Sequence, residues 1–77
     1  MPEPGDLVRF VGSFFVESGE ELRHIMTSVP REGIVLESDR TLIKIMSEEE
    51  FCILIRDQKK LYKIQKIDER KHNGQSK

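Results

Sequence analysis

The side chains of widest chemical reach in this sequence are one thiol, Cys52, and two imidazoles, His24 and His72. A cysteine beside a histidine can act as nucleophile and base. Cys52, however, lies inside the apolar run Phe51-Cys52-Ile53-Leu54-Ile55, where a cysteine serves as a small hydrophobe. A single cysteine with two distant histidines cannot supply the ligand spacing of a structural zinc site, and no internal disulfide can form. The adjacent acids Glu20-Glu21 and Glu48-Glu49-Glu50 carry charge for a hard cation but lack the alternating spacing of a calcium loop, so they read as solvated turns. The sequence has no glycine-rich phosphate loop, no paired-histidine metalloprotease motif and no nucleophile elbow. The expectation is a protein without catalysis, cofactor, metal or small-molecule substrate.

Cations are the next chemical resource, and they are unevenly spread. Residues 1–55 hold five basic side chains against eleven acidic ones, whereas residues 56–77 hold eight basic against three acidic. Lys59, Lys60, Lys63, Lys66, Arg70 and Lys71 surround Tyr62, a combination suited to phosphates and a stacked base. The acidic remainder of the chain works against a polyanion, so nucleic acid is the alternative partner and not the first.

Elements of a very small fold must position these groups. Seventy-seven residues allow one domain, and 36% hydrophobic content without tryptophan allows only a small core. Such chains usually gain stability from an efficient β-core, from oligomerisation or from docking onto something larger. The start has neither a basic nor an apolar leader, and no apolar run approaches the length of a membrane span. With the lone cysteine this predicts a soluble, cytoplasmic protein with no membrane partner.

Strand signals are dense. Gly5-Asp6 opens a strand over Leu7–Val11, with Val8 and Phe10 on one face. Gly33 leads a strand over Ile34–Glu37, and the polar link Ser38-Asp39-Arg40 joins it to Thr41–Met46, with Ile43 and Ile45 facing one way and Lys44 the other. Phe51–Arg56 is the next strand, its Phe51, Ile53 and Ile55 assigned to the core and Cys52 and Leu54 to the second face. Asp57-Gln58-Lys59-Lys60 forms a turn, Leu61–Ile64 a short last strand or single helical turn, and Ile67 a clip onto the body. Gly12–Arg31 reads two ways. Ser18 and Glu21 resemble a capping box, and Leu22, Ile25 and Met26 have helical spacing over Glu20–Met26. Gly19, Thr27, Val29 and Pro30 favour an irregular loop or a hairpin returning over Leu22–Val29. The expected organisation is a β-domain over residues 1–67 and a disordered polar tail over 68–77.

Five short strands with one long early loop amount to an all-β, SH3-like barrel. The segments Gly5-Asp6-Leu7-Val8-Arg9-Phe10, Gly33-Ile34-Val35-Leu36-Glu37 and Thr41-Leu42-Ile43-Lys44-Ile45 are similar to KOW-like and Tudor-like small barrels. Over residues 5–67, and with Leu61-Tyr62-Lys63-Ile64-Gln65-Lys66-Ile67 at the end, the chain resembles short proteins of tailed bacteriophages, especially cyanophages. It departs from them at Met46-Ser47, where they often carry tryptophan. The resemblance implies a binding scaffold, and an accessory viral protein that docks on a host protein or packs into a virion.

The long early loop carries more apolar side chains than so small a core needs, the usual mark of an interface. Phe14, Phe15, Ile25 and Met26 are the expected anchors, with Glu17, Glu20, Glu21 and Arg23 as a polar rim. The expected function is protein interaction, with symmetric self-association as a further possibility for so small a domain.

Overall fold

The computed structural model describes residues 2–67. They form five strands and one 3₁₀ turn: β1 (Leu7–Ser18), β2 (Glu21–Ser38), β3 (Leu42–Ser47), β4 (Glu50–Ile55), the 3₁₀ helix (Arg56–Leu61) and β5 (Tyr62–Lys66). All neighbouring strands are antiparallel, in the order β2-β3-β4-β1-β5, and β2 also pairs with β1. The result is a closed barrel of four strands with β5 added, an all-β fold of the SH3-like kind.

Closure depends on β1 serving two sets of neighbours. Its first half, Val8–Gly12, pairs with β5 on one edge, while Leu7–Phe10 pairs with Arg31–Ile34 of β2 on the other. Its second half turns to β4, matching Phe15 with Ile53 and Glu17 with Phe51, while its opposite edge continues along Glu21–Thr27. Gly12 sits where the partners change. Its φ of 119° is open to glycine alone, and a Cβ there would lie 2.5 Å from the Leu61 carbonyl oxygen and 2.7 Å from Tyr62 Cα. Opposite the bend, the β1–β2 register jumps between the Phe10–Arg31 and Gly12–Thr27 pairs, so Ser28-Val29-Pro30 bulges out. The Thr27 hydroxyl ties that bulge by donating to the Val29 carbonyl and accepting from its N–H.

The early segment is therefore a regular hairpin that outgrows the barrel, not an irregular loop, and the helix over Glu20–Met26 does not form. The hairpin reading prevails because β1 is held from both sides, by β2 and by β4, which outweighs a local helical pattern. The turn at Gly19 has φ 65°.

Val8, Phe10, Phe14, Val16, Val35, Ile43, Ile45, Cys52, Leu54 and Tyr62 form the core, with Ile25 and Ile64 packed against it. Phe10 and Phe14 meet edge-to-face at 5.2 Å. The facing of β4 departs from the sequence expectation. Cys52 and Leu54 join the core cluster, because Val16 and Ile45, both core residues, are the register partners of Cys52. Phe51 is 38% exposed, while Ile53 is buried as expected, at 7%. Five consecutive apolar residues carry no alternation from which to choose a face.

Polar groups close the ends. Arg31 lies over the Phe14 ring at 5.5 Å, donates to Glu50 at 3.0 Å and approaches Cys52 Sγ at 3.6 Å. Burial works against its charge, but Glu50 and Glu48 outweigh it and raise the guanidinium pKa. The buried Ser47 hydroxyl donates to the Glu32 carbonyl at 2.8 Å. In the β2–β3 link the Asp39 carboxylate accepts the N–H groups of Thr41 (2.8 Å) and Leu42 (3.0 Å), while Arg56 donates to Ser38 Oγ at 2.7 Å and to the Asp39 carbonyl. Ile67 clips on as expected, its N–H bonded to the Leu7 carbonyl. The tail expected over 68–77 lies outside the described residues.

Candidate functional site

Strand alternation decides which predicted anchors are available. On β1, Phe14 and Val16 face inward, so Phe15 and Glu17 face out. Their β2 partners follow them: Ile25 and Arg23 lie on the inner side, and Leu22, His24 and Met26 on the outer. Phe14 is 1% exposed and belongs to the core, a correction to its expected role as a docking anchor. Ile25 is half-buried against that core. Phe15 is half-buried, and its ring lies 5.2 Å from that of His24, whose Nε2 shares a hydrogen bond with Ser13 Oγ. Met26 is 76% exposed. Glu20, Glu21 and Arg23 are exposed around the hairpin tip.

The outer face contains more than these residues. Cross-strand neighbours form one row around the barrel: Leu22, Glu17, Phe51, Met46, Ile34 and Leu7, from β2, β1, β4, β3, β2 and β1 in turn. Five of the six are apolar, and Leu22 (59%), Ile34 (43%) and Phe51 (38%) are substantially exposed. Beside this row lie Phe15, Ile53 and Lys44, paired in register. Lys44 does not break the apolar surface. Its ammonium reaches Glu17 at 3.4 Å and sits 4.9 Å over the Phe51 ring, so its charge is matched from two sides. Leu22, Ile34, Met46 and Phe51 were not among the anchors expected from sequence. Their signal is present only once the strands are registered, since the row takes one residue at a time from strands far apart in sequence.

The basic set divides as well. Lys59 and Lys60 on the 3₁₀ helix and Lys63 and Lys66 on β5 are exposed. Lys66 reaches Asp6 at 3.6 Å. Tyr62 is a core residue, which removes the expected stacking ring, and burial pushes its phenol pKa up. Arg70 and Lys71 lie outside the described residues. The thiol and imidazole considered as a nucleophile–base pair are not brought together: Cys52 faces into the core and His24 faces out. Burial raises the Cys52 pKa, with Arg31 pulling the other way.

No protein-family model, curated protein or solved structure matches the chain. The outer face is thus read from its own chemistry.

Proposed function

We propose that this chain is a non-catalytic protein-interaction module that docks a partner on the outer face of its barrel. The observation that carries the reading is the apolar row from Leu22 through Phe51 and Met46 to Ile34. The outside of a small barrel is ordinarily polar, and contiguous exposed apolar surface marks an interaction site. Phe51 lies inside the row between Glu17 and Met46, with Lys44 over its ring. An aromatic in that position is the usual energetic centre of a protein interface. The likeness of the strand segments to short phage proteins supports an accessory viral role, with a host protein or virion component as partner.

The test is capture from host lysate by tagged protein, with and without nuclease and at two salt concentrations, comparing the native chain with Phe51→Glu. A discrete protein that survives nuclease and salt, and is lost from the variant, is the expected result. Truncating such an aromatic anchor costs about 2 kcal/mol, roughly thirtyfold in affinity. Equal capture by a folded Phe51→Glu chain overturns the reading. Lys59, Lys60, Lys63 and Lys66, which share the 3₁₀–β5 segment, support nucleic acid as the second reading. Recovery abolished by nuclease or salt favours it.

A further inference from the structure

Among the described residues the sheet has two free edges, the hairpin segment of β2 and the outer side of β5. Residues Glu21–Thr27 of β2 pair with β1 alone, because β3 takes β2 only along Ile34–Ser38. Among the described residues, the backbone amides and carbonyls pointing away from β1 along this stretch have no strand to accept or donate to. Protein edges of this kind are normally blunted by charged residues, above all lysine, by proline or by a bulge. Here the bulge and Pro30 stand beyond Thr27, where the hairpin rejoins the barrel, and the edge itself carries two charges of opposite sign, Glu21 and Arg23, but no lysine or proline.

We infer that two copies of this chain pair antiparallel along Glu21–Thr27, joining their sheets about a two-fold axis at His24. The axis follows from the edge itself. His24 is the midpoint of Glu21–Thr27, so full-length antiparallel pairing of the edge with itself centres there. In that register Leu22 faces the partner's Met26 on the outer side, and Met26 faces the partner's Leu22. These are the two most exposed large apolar side chains of the paired hairpin, at 59% and 76%. On the other side Arg23 meets the partner's Ile25, and Glu21 meets the partner's Thr27. No acid opposes an acid and no arginine directly opposes an arginine, His24 meets its own copy at the axis, and the match is carried by the two Leu22–Met26 pairs. The surface is distinct from the outer-face row except at Leu22, and the inference goes beyond the docking function proposed above.

Sedimentation of the full chain from micromolar to millimolar concentration tests it, with circular dichroism to confirm folding. The native chain is expected to pass from monomer to dimer. Met26→Lys is expected to weaken dimerisation by about tenfold or more, since its ammonium would be held against the partner's Leu22. A Phe51→Glu chain should dimerise as the native one does, which separates this surface from the docking face. His24→Cys supplies the positional readout. Directly opposed strand residues have Cα atoms about 4.5–5.5 Å apart, within reach of a disulfide, so oxidation should join two chains through residue 24. Arg40→Cys, in the β2–β3 link, should not join them. A native chain that stays monomeric throughout overturns the inference. So does a dimer unaffected by Met26→Lys, or one that His24→Cys fails to cross-link.

Discussion

Three glycines allow backbone strain and steric exclusion to be measured separately in one small protein. Gly19 has φ 65° with nothing within 4 Å of a built Cβ, so Gly19→Ala carries torsional strain alone, about 1 kcal/mol. Gly33 has ordinary extended backbone, but its Cβ would press on the Met46 carbonyl, with Ile45 Cγ2 at 2.7 Å and Ser47 Cβ at 2.9 Å. Gly33→Ala therefore carries exclusion alone, about 1–3 kcal/mol for forcing β2 away from β3. Gly12 combines both: φ 119°, and main-chain atoms of Leu61 and Tyr62 that cannot rotate aside. Adding strain of about 1–3 kcal/mol to exclusion of similar size gives about 2–6 kcal/mol for Gly12→Ala. A chain of this length has a total stability of about 4–12 kcal/mol, so the variant should be near the threshold of folding. Urea denaturation with a common m-value ranks the three, and hydrogen exchange locates the damage. The β1–β5 ladder should lose protection first in Gly12→Ala, because the clash lies where β5 begins. If Gly12→Ala is no more costly than Gly19→Ala, the argument that β5 excludes a side chain at the bend fails.

Two further outcomes follow from local geometry. Glu48 and Glu49, in the β3–β4 turn, have φ of 54° and 66°, a conformation that favours glycine or asparagine. Glu48 also reaches Arg31 at 3.7 Å, so Glu49→Gly is the cleaner relief and should stabilise by about 0.5–1 kcal/mol, read as a raised denaturation midpoint. The Asp39 carboxyl is held below its ordinary range by the N–H groups of Leu42 and Thr41. A depressed carboxylate pKa contributes stability that is present above the unfolded value, near pH 4, and lost as pH falls through the folded one. The stability difference between native chain and Asp39→Ala should therefore be largest near neutrality and shrink in acid. A difference that stays constant with pH refutes the assignment.

Much of the barrel was legible because its strands announce themselves separately. Ile43 and Ile45 alternate with Lys44, and Val8 and Phe10 with Arg9, so their faces followed from period two. The short polar link at Ser38-Asp39-Arg40 also followed from its residue types. Two features were not legible for identifiable reasons. Leu22, Ile25 and Met26 have helical spacing and lie on opposite faces of a strand, so only the pairing of β1 with both β2 and β4 selects the hairpin. Phe51 through Ile55 is apolar at every position, so its facing depends on β1 and β3 and not on its own pattern. The candidate site inherited both ambiguities. The sequence alone offers Phe14 as an anchor because it does not tell the hairpin's inner side from its outer side. It offers Phe51 to the core because an apolar strand does not show its facing.

That second ambiguity has a physical meaning. A barrel needs apolar residues on one face of each strand, and Val8, Phe10, Phe14, Val16, Val35, Ile43, Ile45, Cys52 and Leu54 already fill that face here. Closure and core packing place no such demand on the outward positions, where Leu22, Ile34, Met46 and Phe51 stand in one cross-strand row. Even the lysine among them is spent on Glu17 and the Phe51 ring instead of on water. The apolar character of β4 on both sides, which hid its facing in the sequence, is therefore the property expected of a strand buried twice. Its first burial is inside the barrel, and the docking proposed above would supply its second.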